Sequence, residues 1–292
     1  MAVDSNIKTD YQIILFYKFV DLDNLEEIQK NQLNLCKNLG LKGRILLAKE
    51  GINGTLEGTP KNIALYIKMT QKIPGFSDIL FKKSPGFGNG FSKIQVNIKA
   101  EVVALESPIK YDAKIVTAKF IESDQLHNWF NSDKEFLILD MRNDYETKVG
   151  HFENSILLPN FKNFRDLPNL LPMLQKYKHK TIVTCCTGGV RCEKGSGLLL
   201  KNGFTDVYQL KDGIVTYMEK YPNQNFLGKL FVFDNRLMMG FNLDSKDHVV
   251  VGKCDICGNK SENIENYLDD NKVRQHGIVC ENCLTKGVVI RD

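Results

Sequence analysis

Residues 181–200 read TIVTCCTGGVRCEKGSGLLL, and no other stretch restricts the fold of this chain as much. TIV is an apolar run of strand length, Gly188 and Gly189 interrupt it, and Leu198, Leu199 and Leu200 lie in a following helix. Strand, short glycine loop and helix in that order make half of a βαβ unit, the repeating element of a parallel α/β sheet. The flanking sequence keeps alternating. A helix is expected over 118–130, then the buried strand FLILD, a short strand near 156–158 and a helix near 167–177. After the glycine loop and its helix come the strand VYQL and a last helix near 214–220. Residues 111–225 therefore read as one parallel α/β domain.

The loop Cys186-Thr187-Gly188-Gly189-Val190-Arg191 has chemistry as well as shape. Backbone N–H groups of a glycine loop that opens a helix converge on one point, where with the helix dipole they hold an anion and lower a thiol pKa. Arg191 adds a fixed positive charge, so Cys186 reads as a thiolate nucleophile able to hold a persulfide or another covalent intermediate. Two registers are open: Cys185 to Arg191 has the C-x5-R spacing of cysteine phosphatases, and Cys186 to Arg191 the C-x4-R spacing that suits sulfane sulfur. Cys185, at the strand end, reads as a small buried residue. Cys192, one residue past Arg191, is a candidate resolving thiol.

Residues 1–110 have a different rhythm. Strand Tyr11–Phe19, helix Leu25–Leu39, strands Arg44–Ala48 and Ile52–Glu57, helix Lys61–Gln71 and strand Ile79–Lys83 give the order βαββαβ, a ferredoxin-like α+β pattern. The net charge of +4 is too small to announce a polyanion partner, but these 110 residues hold 15 Lys and Arg against 11 Asp and Glu, while the remainder is balanced at 24 and 24. Lys42, Arg44, Lys49, Lys82 and Lys83 are the candidate RNA contacts, with Phe87 and Phe91 nearby for base stacking.

Residues 226–292 carry Cys254-x-x-Cys257 and Cys280-x-x-Cys283 with 22 residues between the pairs, close to the spacing of paired zinc knuckles. A tail with few large apolar residues needs a staple, which zinc supplies; two disulfides are the alternative. No apolar run approaches the ~18 residues of a membrane helix, and MAVDSNIKTD lacks the features of a secretory signal. A soluble, cytoplasmic protein with reduced cysteines is expected. GFGNG at 86–90 lacks the strand and helix context of a dinucleotide loop and reads as a turn, so no flavin or nicotinamide motif is seen. The histidines fit no iron-site spacing.

The central region resembles the rhodanese family. Cys186, Gly189 and Arg191 match its loop C-x-x-G-x-R. Asp140, Arg142, Glu146, Gly150 and His151 match the upstream D-x-R-x-x-x-E-x-x-x-G-H, and GFTDVYQLKDGI matches the closing segment. The resemblance places the register on Cys186. The D-x-R residues themselves read as a charge pair that holds loops. With KGRILLAKEGINGTLEG upstream and NFLGKLFVFDNRL downstream, the chain from Ile13 to Cys283 resembles the bacterial rhodanese-domain tRNA uridine hydroxylase family. That resemblance implies oxygen-dependent 5-hydroxylation of the wobble uridine of tRNA, with molecular oxygen as co-substrate, an unidentified electron or sulfur donor, and Cys186 as the active-site cysteine. A sulfurtransferase working through a Cys186 persulfide, or a noncatalytic RNA-binding protein, are the alternatives.

Overall fold

The computed structural model describes residues 3–4, 9–156, 158, 161–268 and 274–286. They fall into two compact units, Ser5–Thr117 and the remainder, Met1–Asp4 with Ala118–Asp292. In chain order the first elements are β1 (Val3–Asp4), β2 (Tyr11–Phe19), α1 (Leu25–Asn38), β3 (Lys42–Ala48), β4 (Gly51–Gly58), α2 (Pro60–Thr70), β5 (Phe81–Gly86) and β6 (Ile94–Ile98).

The Ser5–Thr117 unit is a mixed sheet of order β5-β2-β4-β3-β6. Every pairing is antiparallel except β3 with β6. Ile14, Phe16, Ile45, Leu47, Ile52 and Leu56 enter one core with Cys36 of α1 and Ile63 and Tyr66 of α2. α2 starts where Thr59 caps it, accepting from Asn62 N, with Pro60 in the first turn. The four-strand ferredoxin-like pattern is present, with two differences. The strand expected at Ile79–Lys83 runs Phe81–Gly86 instead. IQVNI at 94–98, not anticipated, adds a fifth strand beside β3.

The glycines of 86–90 do form a turn, and its centre is the buried Glu57. The carboxylate accepts N–H bonds from Phe87 at 2.9 Å and from Gly88 and Gly90 at 2.8 Å. These glycines therefore wrap a side chain of the protein itself.

The larger unit continues with β7 (Lys119–Ile121), α3 (Ser123–Phe130), β8 (Leu137–Asp140), α4 (Asp144–Thr147), β9 (Gly150–Phe152), β10 (Ser155–Ile156) and α5 (Leu167–Leu174). Then come β11 (Ile182–Cys185), α6 (Val190–Lys201), β12 (Val207–Leu210), α7 (Gly213–Lys220), β13 (Phe226–Gly228), β14 (Leu230–Phe231), β15 (Met238–Gly240), β16 (Ile264–Leu268), β17 (Arg274–Ile278) and α8 (Glu281–Thr285). β10-β8-β11-β12-β7 is an all-parallel sheet, the rhodanese-like architecture. Its first strand corrects the expected helix 118–130: Lys119–Ile121 pairs with Tyr208–Leu210, and the helix starts only at Ser123. Of the strand expected at 156–158, β10 ends at Ile156, and residue 157 lies outside the described residues.

The chain after 225 packs back into the core of this domain without joining its parallel sheet. β13 pairs with β9, and Phe226, Leu230, Val232, Met239 and Phe241 enter the same core as Ile138, Val183 and Leu210. Among the described residues no helix is long and apolar enough to cross a membrane.

Candidate active site

β11 delivers its last residue, Cys185, opposite Asp140 of β8. Cys186 therefore sits just beyond the carboxyl end of a central strand, where open α/β sheets place their sites. Thr187, Gly188 and Gly189 turn the chain into α6, and Gly189 caps that helix with φ 106°, a conformation that favours glycine.

The start of α7 fixes the orientation of the loop. Ile214 N donates to Cys186 O at 2.9 Å and Val215 N to Thr187 O at 3.1 Å. Gly213 makes this approach possible: at φ +76° any Cβ there would stand 2.6 Å from Thr187 O. With two loop carbonyls held by α7, Gly189 N–H donates to Cys186 Sγ at 3.1 Å.

Cys186 is buried, and burial alone would raise its pKa. The Cys192 thiol that donates to it, the Arg191 charge and the N–H groups of Arg191 and Gly189 outweigh that effect and bring it down to about 6. Cys192 moves the other way, well above the ordinary thiol range, through burial and its bond to Cys186. Cys185 is also pushed up, by burial and then by Asp140. Of the three neighbouring thiols, the surroundings favour the thiolate at Cys186 and the protonated form at Cys185 and Cys192. Alkylation of Cys186, followed by mass spectrometry of its peptide, should be flat above neutral pH and fall below pH about 6. A midpoint near the ordinary value of 9.0 would contradict this.

Arg191 has a partner that the sequence reading did not give it. Its Nη1 lies 2.6 Å from Glu146 Oε2 and its Nη2 2.8 Å from Oε1, and both side chains are buried. Thr187 Oγ1 lies 3.3 Å from Nη2 and 3.4 Å from Glu146 Oε1, and Asn143 N donates to Oε2 at 3.0 Å. The guanidinium edge is thus committed to a carboxylate. Arg191 acts as a braced charge beside the thiolate, and the anion-holding groups that remain are loop N–H groups.

The D-x-R pair holds the neighbouring loop. Arg142 Nη2 reaches Asp140 Oδ2 at 2.7 Å and Gly150 O at 2.6 Å, and Arg142 is fully buried. Asp234 and Arg236 repeat this spacing in the chain after 225. Arg236 N and Nε donate to Asp234 Oδ1 at 3.1 and 2.7 Å, and Nη2 to Oδ2 at 2.7 Å.

Three family descriptions cover the chain: a UPF0176 acylphosphatase like domain at residues 11–102, a rhodanese-like domain at 122–220 and a rhodanase C-terminal domain at 227–289. The tRNA uridine(34) hydroxylase of Bacillus licheniformis is 40% identical over 277 residues, spanning 94% of this chain and 84% of that one. The chain belongs to the tRNA uridine(34) hydroxylase family. Its member from Staphylococcus carnosus is 38% identical over 288 residues, covering 94% of this chain and 90% of its own. Among solved structures, a rhodanese-like domain protein from Staphylococcus aureus is 29% identical over 34% of this chain and 90% of that one, with a TM-score of 0.29.

In this hydroxylase-family chain the residues singled out from sequence fall in three places. Cys186 to Gly189 form the loop after β11, and Val190, Arg191 and Cys192 open α6. Cys254, Cys257, Cys280 and Cys283 bring four sulfur atoms within 4.8 Å of one another, a donor set and spacing that fit one tetrahedral metal ion.

The basic residues lie in the Ser5–Thr117 unit and divide between its faces. Arg44 and Lys82 fall in one row across the sheet, through Thr55 and Leu15, with Lys42 one row away on the same face. Lys83 pairs with Ile14, on the helix side, and Lys49 lies in the β3–β4 turn. Two residues around Arg191 were not foreseen in their roles, its partner Glu146 and Phe233, over whose ring it lies. The second D-x-R, next to Phe233, is the sequence signal that points to the latter.

Proposed function

We propose that this protein hydroxylates C5 of the wobble uridine of tRNA in an oxygen-dependent reaction and that the Cys186 thiolate carries the chemistry. The observation behind this is the loop itself. A buried cysteine is held as thiolate by inward N–H groups, a neighbouring thiol and a braced arginine, in a chain that matches tRNA uridine(34) hydroxylases along most of its length. A thiolate adds to the electron-poor C6 of a uracil ring and leaves C5 electron-rich, the carbon that must take oxygen; loss of the C5 proton then breaks the C6–S bond, releases the thiolate and restores the ring. Reduction of the second oxygen atom to water requires an external two-electron donor. Incubation of uridine-34 tRNA with the protein and a reductant under air, then nucleoside mass spectrometry, should show a gain of one oxygen on uridine. A gain of sulfur instead would favour a sulfurtransferase acting through a Cys186 persulfide.

In this reading tRNA meets the open sheet face of the Ser5–Thr117 unit, where Lys42, Arg44 and Lys82 lie together. Replacing Arg44 and Lys82 by alanine should weaken tRNA binding and reduce its log–log salt slope by about one for each lost phosphate contact. Lys83→Ala, on the other face, serves as the comparison. An unchanged slope in the double variant would remove this face from the interface.

The four-cysteine cluster is read as a structural zinc site. Metal analysis should find one zinc per chain, and Cys254→Ala should abolish it and lower the thermal stability of the larger unit. A metal-free protein with two disulfides would contradict the assignment.

A further inference from the structure

Phe233 is 43% exposed, an unusual position for a phenylalanine that neighbours buried charges. It belongs to the chain after 225, yet its ring lies over the Arg191 guanidinium, 5.8 Å from Cζ to centroid. Arg191 thus presents its edge to Glu146 and lies over one face of the Phe233 ring.

The position of the ring is built rather than incidental. On one side it meets Phe231 edge-on, with centroids 5.2 Å apart at 81°, and Phe231 in turn meets Tyr145 at 5.1 Å. On the other side the backbone is locked. Val232 N donates to Leu237 O and Leu237 N to Asp234 O, both at 2.9 Å, and the buried Asp234–Arg236 pair closes the turn. Phe231 and Val232 are buried while Phe233 is turned outward. A rigid turn thus holds one aromatic face at the edge of the loop that carries the thiolate.

We propose that Phe233 is the platform on which the target base stacks, the residue that positions a uracil ring over the thiolate loop. Enzymes that act on a base must take it out of its stack and hold it against aromatic or apolar groups. A single-stranded base is recognised by stacking on aromatic side chains. Arg191 commits the edge formed by Nη1 and Nη2 to Glu146, so two-pronged capture of a phosphate by that edge is closed off. The solvent-facing aromatic ring beside it supplies the missing contact. The inference rests on the wobble-uridine reading above and adds to it the residue that recognises the base.

A structural role, covering the Arg191–Glu146 pair from water, needs only apolar bulk. Stacking needs a π face. The test therefore compares Phe233→Leu with Phe233→Trp, using an anticodon stem-loop with uridine at position 34, air and a reductant, with oxygen gain as the readout. Phe233→Leu should raise KM about ten-fold or more, the range expected for a lost stacked base, while Phe233→Trp stays near the wild type. Alkylation of Cys186 should keep its wild-type pH profile in both. Equal KM values for Phe233→Leu and the wild type would overturn the proposal, as would a loss confined to kcat, or a shifted alkylation profile that accounts for the defect. Failure of the wild-type chain to hydroxylate the stem-loop would instead overturn the functional reading, and no variant is needed to see it.

Discussion

Replacing Cys186 by serine is expected to reduce uridine hydroxylation by about a thousand-fold or more, the scale on which removal of an enzyme nucleophile is felt. The substitution keeps size and hydrogen bonding nearly unchanged. Gly189 N–H, 3.1 Å from Sγ, has an oxygen to donate to in its place, and the loop carbonyls remain bound by α7. What changes is charge. The surroundings that bring the thiol down to about 6 cannot ionise a serine hydroxyl at neutral pH, so the variant folds but presents a neutral, weakly nucleophilic oxygen. Initial rates of oxygen gain on uridine, beside a thermal melt of each protein, separate chemistry from folding. Retention of wild-type rate by a folded Cys186→Ser protein would remove the thiolate from the mechanism.

Replacing Glu146 by glutamine is expected to cost the larger unit about 3–5 kcal/mol, the usual consequence of leaving one partner of a buried ion pair uncompensated. Arg191 keeps its charge in every accessible pH range, and Glu146 is its paired carboxylate at 2.6 and 2.8 Å. Glutamine fills the volume and offers one acceptor, but leaves the positive charge buried. The same change has an electrostatic signature at the thiolate. An Arg191 charge no longer neutralised by Glu146 favours the Cys186 anion more strongly, so the alkylation midpoint should move further down in pH. Denaturant unfolding followed by the fluorescence of Trp129 measures the first effect, and Cys186 alkylation at graded pH the second. Wild-type stability would show that the pair is not what braces the loop. Arg191→Lys should not substitute for arginine, because an ammonium cannot reproduce the two-pronged contact.

What sequence could reveal of this site depended on how local each feature is. The strand, the loop and the helix of 181–200 are contiguous, so the residues that shape them are also the residues that announce them. Glu146 and Arg191 are 45 positions apart, and nothing near either residue identifies the other. Arg191 therefore reads from sequence as a free charge and stands in the structure as half of a pair.

The helix expected over 118–130 shows the same limit. Leu126, Trp129 and Phe130 have spacings that suit a helix, but Lys119–Ile121 before them is taken up as a strand by its partner Tyr208–Leu210. That pairing partner lies almost ninety residues away, and a short edge strand leaves little periodicity of its own. IQVNI escaped for a related reason: its ladder is with β3, about fifty residues upstream. Phe233 is the converse, a local anomaly whose meaning appears only once Arg191 is found beneath it.

The most direct test of the whole account follows the oxygen atom. Wild-type protein and Cys186→Ser, each supplied with uridine-34 tRNA and a reductant under isotope-labelled dioxygen, would be compared by mass spectrometry of the digested nucleosides. One labelled oxygen on uridine is expected with the wild type and none with the variant. Oxygen drawn from water, sulfur in its place, or equal labelling by both proteins would contradict it.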